Sequence, residues 1–299
     1  MLTSAAAFAV MTAAAKLMGT RLPVFEVVFA RALFSVVVTA GLLRRSGVPW
    51  LGTRRPLLAL RGVLGFLGLS CSFYSVIHLP LADATLLQFM HPVFTVGLAA
   101  LLLREHIGRG IWLGVPLSLA GVLLVVRPGW LFGAADSAAL DPFAVAVALA
   151  GAFFAADAYV TVRHLARTGE HPLAIVFSFP AVAVALSFPL MLSDFVWPRG
   201  AEWLGLAATG AAAQIGQMAL TRGIQLLPAS RATAYSYTQV VFAAGLGALL
   251  FGEAPDALGL AGGALVLAGA WLAGRSATSA AAPSAAATSS ASGAGSGTG

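Results

Sequence analysis

Apolar stretches of about 20 residues follow one another almost without a break along this chain. A bilayer core about 30 Å thick takes roughly 20 helical residues to cross, and irregular backbone cannot face lipid because its polar groups would lack partners. The pattern therefore predicts an all-α integral membrane protein. Ten transmembrane spans are predicted at residues 2–18, 23–43, 57–78, 81–103, 109–126, 142–162, 172–192, 203–226, 229–251 and 257–273.

Composition excludes the soluble classes of protein. Of the 299 residues, 59% are apolar and only 9% are charged, too few to cover a water-facing surface. The net charge of +6 is scattered between apolar stretches, without the basic stripe that nucleic acid would require. The single cysteine, Cys71, offers neither an intramolecular disulfide nor a thiolate metal cluster. We therefore expect no metal, no cofactor and no nucleic-acid partner.

Catalytic signatures are missing from the sequence. It contains no H-E-x-x-H zinc motif, no G-x-S-x-G nucleophile elbow and no Walker loop. An enzyme is therefore not expected. A channel is disfavoured because no ring of like charges and no repeated filter sequence occurs, but a channel-like facilitator stays open as an alternative.

The two ends of the chain need separate interpretation. Residues 1–15 could pass for the apolar region of a signal peptide, but they lack a basic start and Lys16 lies on their far flank. We expect them to be retained as the first span. Residues 276–299 are almost all Ala, Ser, Gly and Thr, which predicts a disordered low-complexity tail without function.

Basic residues are distributed unevenly between the two sets of loops. An amino terminus in the cytoplasm places twelve on the inner side, namely Arg44, Arg45, Arg54, Arg55, Arg61, Arg104, Arg109, Arg163, Arg167, Arg222, Arg231 and Arg275. The outer side then receives four: Lys16, Arg21, Arg127 and Arg199. Because cytoplasmic loops carry the excess of Lys and Arg, both termini are predicted inside.

The chain repeats itself at an offset of 148 residues. From Leu79 onward the shared residues include Ala84/Ala232, Thr85/Thr233, Phe94/Phe242, Gly97/Gly245, Glu105/Glu253, Gly114/Gly262, Gly121/Gly269 and Arg127/Arg275. Matching Thr, Phe, Glu and Arg are not explained by shared Ala, Gly and Leu content. The predicted domains are a first five-helix repeat at 1–130 and a second at 140–275.

An odd number of spans in each repeat determines its orientation. The second copy must cross the membrane in the opposite sense to the first. Inverted repeats of this kind let secondary transporters alternate access around a site near the membrane midplane. The repeat therefore predicts a transporter.

Sequence signatures at the end of each half resemble a known family. Residues 102–106 with 114–126, and residues 250–253 with 259–273, are similar to the L-x-x-E…G-x-x-L-x-x-x-G pattern of EamA-type proteins in the drug/metabolite transporter superfamily. Pro92 and Arg31 also stand where that family usually has a proline and an arginine. Val240 departs from the pattern, since the repeat would place a second proline there, so the two halves need not bend alike.

The resemblance covers residues 2–275 and is nearest to the YddG branch of amino-acid exporters. It implies a monomeric secondary transporter of the inner membrane that exports aromatic or apolar amino acids and related metabolites. Its expected partners are the small-molecule substrate and the lipid bilayer.

Polar residues near the middle of spans are costly in lipid and are candidates for a substrate site. In span 4, Gln88 and His91 share a helix face beside Pro92, which frees the carbonyl one turn earlier. Their repeat partners in span 9 are Ser236 and Gln239. A purely structural hydrogen bond of His91 to a neighbouring helix, a substrate contact and a proton role stay open.

Other spans contribute further candidates. Gln214 and Gln217 share one face of span 8, and two glutamines in one span indicate either a polar cavity or pairing across helices. Tyr74 in span 3 and Tyr235 in span 9 could stack on an apolar substrate, although packing is an equal alternative.

Arg31 and Asp157 are the clearest mid-span charges. A static ion pair between them is the favoured interpretation, and a gate that forms in one conformation only is the alternative. If transport is coupled to protons, His91 and Asp157 are the candidate groups; uncoupled transport is favoured. One acid and one base suit a zwitterionic, partly apolar metabolite such as an amino acid, and a cationic drug or quaternary amine is the alternative.

Overall fold

The computed structural model describes residues 1–18, 21–79, 81–126, 131, 141–252 and 256–275. Every regular element in these residues is a helix, so the predicted all-α fold with ten spans is confirmed. In span order the helices are Leu2–Met18, Val24–Ser46, Arg55–His78, Leu81–Gln88 with His91–Leu102, Arg109–Val126, Pro142–Arg167, Pro172–Leu192, Glu202–Leu226, Ala229–Ala234 with Tyr235–Tyr237 and Thr238–Phe251, and Ala257–Arg275. The predicted tail at 276–299 and Glu253 lie outside the described residues.

Length and hydropathy support this assignment. Six described helices, those of spans 2 to 7, are long and apolar enough to cross a membrane, and spans 1 and 10 contain shorter apolar helices. The helix starts follow local chemistry, since Pro142 and Pro172 each lie in a first turn, where a missing N–H costs nothing. Asp141 also accepts hydrogen bonds from the backbone N–H groups of Phe143 and Ala144.

The spans pack mainly across the two halves of the chain. Span 5 lies along span 10, and span 2 lies along span 7. Span 3 packs on span 6 as span 8 packs on span 1, and span 4 packs on span 6 as span 9 packs on span 1. Each span has a repeat counterpart five spans away. When both spans of a contact are replaced by their counterparts, the result is another observed contact. The two halves therefore interlock around a pseudo-two-fold axis.

The offset of 148 residues recurs in the atomic contacts of spans 5 and 10. The Ser118 hydroxyl donates to the carbonyl of Val266, its own repeat partner, at 3.2 Å. On either side, Gly114 faces Gly269 and Gly121 faces Gly262. A Cβ at Gly121 would lie 2.6 Å from the carbonyl oxygen of Gly262, so the close approach requires glycine. The axis passes through this crossing.

Spans 4 and 9 are both interrupted, and at equivalent places. Span 4 breaks at Phe89 and Met90, one residue before His91-Pro92. Span 9 passes through a single 3₁₀ turn at Tyr235–Tyr237, although it has Val240 in place of a proline. The two spans are thus irregular at nearly equivalent positions, and only the first has a proline there.

The two ends of the bundle are named by the chain termini. Met1 lies against Gly223 near the end of span 8, and Ala273 of span 10 lies against Gly114 near the start of span 5. We call this the terminal end, and the opposite end the far end.

Candidate functional site

His91 has a defined orientation because of the proline that follows it. Pro92 has no N–H to donate to the carbonyl of Gln88, four residues earlier. The Nδ1 atom of His91 takes that place, 3.0 Å from the Gln88 carbonyl oxygen. A carbonyl only accepts, so Nδ1 carries the proton, and Nε2 of the neutral ring is left as an acceptor. His91 is 8% exposed, and its Nε2 has no hydrogen-bond partner among the described residues.

His91 lines a small cavity between the two halves, which we call the histidine cavity. Its other polar lining includes Gln239, Ser236 and Tyr159, and its remaining walls are Met1, Ser4, Ala5, Phe8 and Leu220. The ring of Tyr159 meets that of His91 edge-on, with centroids 5.4 Å apart. Because His91 and Gln239 are repeat partners, they lie at equivalent positions about the pseudo-two-fold axis. The cavity extends from these two residues to Met1, at the terminal end.

A second cavity lies between spans 2, 7 and 8, and we call it the arginine cavity. It is lined by Arg31, Ala32, Ser35, Val176, Phe179, Pro180, Ala213, Gln214 and Gln217. The side-chain amide of Gln214 donates to the Thr39 hydroxyl at 2.9 Å. Gln214 therefore both pairs across helices and lines a cavity, whereas the sequence left these two roles as alternatives.

Arg61 has a different environment from the one its sequence predicts. The sequence predicts it among the basic residues of the inner side, but it is buried inside the bundle with 4% exposure. Its guanidinium donates to Gln217 Oε1 at 3.4 Å and lies over the Phe179 ring, 5.2 Å from the centroid. A signal was present, because residue 61 falls inside the predicted third span rather than between spans.

Three of the predicted substrate-binding residues do not line these two cavities. Gln88 ends the first helix of span 4, and its side chain is exposed, whereas that of His91 is buried. Tyr74 stacks on His78, with ring centroids 3.9 Å apart. Tyr235 is half-buried in the 3₁₀ turn of span 9. The single face predicted for Gln88 and His91 is therefore not formed.

Arg31 and Asp157 do not form the expected ion pair. Arg31 donates to the Met11 sulfur at 3.5 Å and lies over Phe179, 5.9 Å from the ring centroid. No described ion pair includes Asp157, which is half-buried on span 6. Span 2 packs on spans 7 and 8, whereas span 6 packs on spans 3 and 4, and this separation accounts for the missing pair.

Metal binding finds no support in the part of the chain that the structure describes. There, no group of three or more His, Cys, Asp or Glu side chains is placed to hold an ion. The chemistry that remains is non-covalent: neutral acceptors and donors in one cavity, and guanidinium and amide groups in the other.

Comparison with known proteins gives one family and a consistent set of relatives. The model of the EamA-like transporter family matches residues 1–127 and 142–275. The pseudopaline exporter CntI of Pseudomonas aeruginosa strain UCBPP-PA14 is 39% identical over 261 residues, covering 87% of this chain and 89% of that protein. An S-adenosylmethionine uptake transporter of Rickettsia felis is 27% identical over 253 residues, covering 84% of this chain and 83% of that protein.

A solved crystal structure shares the fold. It superposes with a TM-score of 0.77 at 22% identity and covers 91% of this chain and 94% of the other. The match to the EamA-like family model confirms the family predicted from the sequence. The YddG branch is not, since the relatives named above are a pseudopaline exporter and an S-adenosylmethionine uptake transporter.

Proposed function

The chain belongs to the EamA-like transporter family, and we propose that it exports amino acids and amino-acid-derived metabolites by alternating access around the two central cavities. It is a secondary transporter and not an enzyme. The finer assignment, to the substrate and to export, is the proposal.

The histidine cavity is the observation that supports this substrate class. Its buried acceptor, His91 Nε2, suits a ligand that donates N–H groups, such as an ammonium. Gln239 supplies both a donor and an acceptor, while Phe8 and Leu220 supply apolar surface. A small zwitterion with an apolar side chain matches this combination.

The relatives are compatible with this proposal without settling it. S-adenosylmethionine is itself an amino acid that carries an adenosyl group, and a relative over 84% of this chain is named for its uptake. A cationic drug is less well supported, because the cage expected from Asp157 and the tyrosines is not assembled in the described structure: Asp157 lines neither cavity and Tyr74 stacks on His78.

Coupling and orientation complete the proposal. We propose transport without obligatory proton coupling, because Asp157 lies outside both cavities. We propose that the protein lies in the inner membrane with both termini in the cytoplasm, because the basic loop residues are more numerous on that side. Single cysteines near Arg54 and Arg167 in a Cys71→Ala background should resist an impermeant thiol reagent added outside, and one near Gly200 should react; the reverse pattern would invert the orientation.

Transport into proteoliposomes tests the substrate assignment. The panel is labelled phenylalanine, methionine, S-adenosylmethionine and the cation tetraphenylphosphonium, each with and without an imposed pH step. We expect the amino acids to equilibrate, without accumulation when the pH step is applied. Transport of tetraphenylphosphonium alone would contradict the substrate proposal, and accumulation driven by the pH step would contradict the uncoupled mechanism.

A matched pair of variants tests the cavity itself. Asparagine keeps a donor near the position of His91 Nδ1 but removes the Nε2 acceptor, so His91→Asn should change the relative rates among the panel while the folded yield stays constant. His164→Asn, at an exposed histidine of span 6, is the control. A proportional fall for every substrate together with a lower folded yield would assign His91 to packing alone.

A further inference from the structure

Two arginine side chains are buried in the bundle without an acidic partner. Arg31 is 9% exposed and Arg61 is 4% exposed. The ion pairs among the described residues are Arg21–Glu202, Arg163–Glu105 and Arg167–Glu105. Arg31 donates to the Met11 sulfur at 3.5 Å, and Arg61 donates to Gln217 Oε1 at 3.4 Å. Both hydrogen bonds are long, and both acceptors are uncharged. The Nε atom of each guanidinium has no described partner.

Burying two arginines without an acidic partner destabilises the protein when no ligand is bound. A guanidinium stays charged under all conditions in the cell and loses its hydration when it is buried. Charged residues inside a membrane bundle therefore pair with one another or lie on a substrate path. Because Arg31 and Arg61 carry the same charge, they do not neutralise each other, and their placement indicates an external anionic partner.

Both guanidiniums converge on one aromatic ring. The Arg61 and Arg31 guanidinium carbons lie 5.2 Å and 5.9 Å from the centroid of Phe179. Phe179 is 148 residues from Arg31, so these two contacting residues are repeat partners and lie on the pseudo-two-fold axis at mid-depth. Substrates of inverted-repeat transporters bind at this level.

The arginine cavity provides the remaining groups of a binding site. Arg31, Gln214 and Gln217 line it together with the Ser35 side chain. Gln214 donates its amide to Thr39, and its Oε1 atom is buried without a described partner. A planar guanidinium fork matches the two oxygens of a carboxylate.

We propose that Arg31 binds the carboxylate of the transported substrate in the arginine cavity, and that Arg61, which contacts the cavity residues Gln217 and Phe179, supplies a second positive charge beside it. This inference rests on the proposed transport of amino acids, and it restricts the substrate to compounds that carry a carboxylate. The site selects against amides and simple amines.

Three matched ligands test this selection on the purified full chain. Binding of phenylalanine, phenylalaninamide and phenylethylamine is measured by scintillation proximity against labelled phenylalanine. The inference predicts that the amide and the amine compete at least tenfold more weakly than the acid. Arg61→Gln and Arg31→Gln should each remove this preference, while Arg55→Gln, at an exposed arginine of the same span as Arg61, should keep it.

A stability measurement covers variants that fold poorly. Replacing an uncompensated buried charge with an apolar group of similar length should raise Tm in the absence of ligand, so Arg61→Met is expected to be more stable than wild type and unable to bind phenylalanine. A lower Tm for Arg61→Met would mean that the charge is neutralised within the protein and would overturn the proposal.

The remaining outcomes separate the possible anions and the two proposals. Equal binding of acid and amide would overturn the carboxylate site while transport of amino acids stands. Chloride that competes with phenylalanine and raises Tm equally would assign the arginines to an inorganic anion, against the proposal. If phenylalanine is neither bound nor transported, the proposed function fails, and a Tm increase with citrate that is lost in Arg61→Gln would still support a carboxylate site.

Discussion

The two ends of the bundle are joined by different chemistry. At the terminal end, a single buried carboxylate, Glu105, accepts hydrogen bonds from Arg163 and Arg167 at the end of span 6, at 3.3 and 3.2 Å. It also accepts from the backbone N–H groups of Ala229 and Ser230, where span 9 begins. At the far end, the main described ion pair joins Arg21 to Glu202, and the Glu202 side chain is 17% exposed against 3% for Glu105.

The network around Glu105 reaches four spans. Arg163 donates to the carbonyls of Ile224 and Gln225 at the end of span 8, at 3.0 and 2.7 Å. Arg167 donates to the carbonyl of Leu103 at the end of span 4. The charged side chains and the unpaired backbone groups at the ends of three helices thus share one hydrogen-bond network. Removing any member of the network should therefore lower the stability of the protein strongly.

Equivalent junctions of the two repeats share one hydrogen-bonding device. At the terminal end, Glu170 in the loop before span 7 accepts hydrogen bonds from Thr53 and Arg54, just before span 3 begins. At the far end, Glu26 at the start of span 2 likewise accepts a hydrogen bond from the N–H of Val196, just before span 8.

The far end differs by an added ion pair, in which the loop before span 2 supplies Arg21 and the start of span 8 supplies Glu202. The terminal end has the buried Glu105 network instead. A shared backbone symmetry thus does not require identical polar chemistry, so the two ends need not open with equal ease. We expect the far end to open at the lower cost.

Glu105→Gln should produce the largest effect. It leaves Arg163 without its charge partner in a buried setting and weakens the start of span 9, and breaking a buried pair costs about 3–5 kcal/mol. The measurement is Tm of the purified protein in detergent, with Glu202→Gln as the matched control at the far end. Equal losses for the two variants would remove the asymmetry between the ends.

Glu170 should give an effect of intermediate size that depends on pH. Burial raises the pKa of this carboxyl, but hydrogen bonds from the Thr53 hydroxyl and from the N–H groups of Arg54, Thr53 and His171 outweigh it and hold the pKa below its ordinary value of 4.5. A lowered pKa means that the carboxylate stabilises the folded protein above pH 4.5, and that this stabilisation is lost as the pH falls towards the folded-state pKa.

The test compares Tm of wild type and Glu170→Gln from about pH 7 to about pH 3. The wild type should be more stable by a constant difference down to the ordinary pKa, and the difference should shrink below it. Asp194→Asn, at an exposed acid of the far end, is the control. A difference that grows as the pH falls would contradict the sign of the shift.

The Arg21–Glu202 pair should give the smallest effect. Exposed ion pairs contribute little because water and salt screen them. A double-mutant cycle with Arg21→Gln and Glu202→Gln should show a Tm coupling well below the loss in Glu105→Gln, and about 1 M salt should reduce it further. A coupling as large as the Glu105 effect, or one that salt leaves unchanged, would show that the far end is held as firmly as the terminal end.

Several features of this protein follow from local sequence alone. The spans depend on runs of apolar residues, so the predicted starts at 142 and 172 match the observed helices. The offset of 148 residues, identified from matched residues in spans 4, 5, 9 and 10, recurs in the Ser118–Val266 hydrogen bond. The carbonyl freed by Pro92 was also predictable, because proline affects the residue four positions earlier in any helix.

Other features were decided only by the tertiary structure. Gln88 and His91 share a face in a continuous helix, but the structure exposes the Gln88 side chain and buries that of His91. The missing Arg31–Asp157 pair depends on which spans are neighbours, and the convergence of Arg31 and Arg61 on Phe179 joins residues from three different spans. Hydropathy and periodicity determine which residues enter the membrane, because those properties act along one helix. Which polar groups meet there depends on the rotation and packing of helices distant in sequence, which no local pattern encodes.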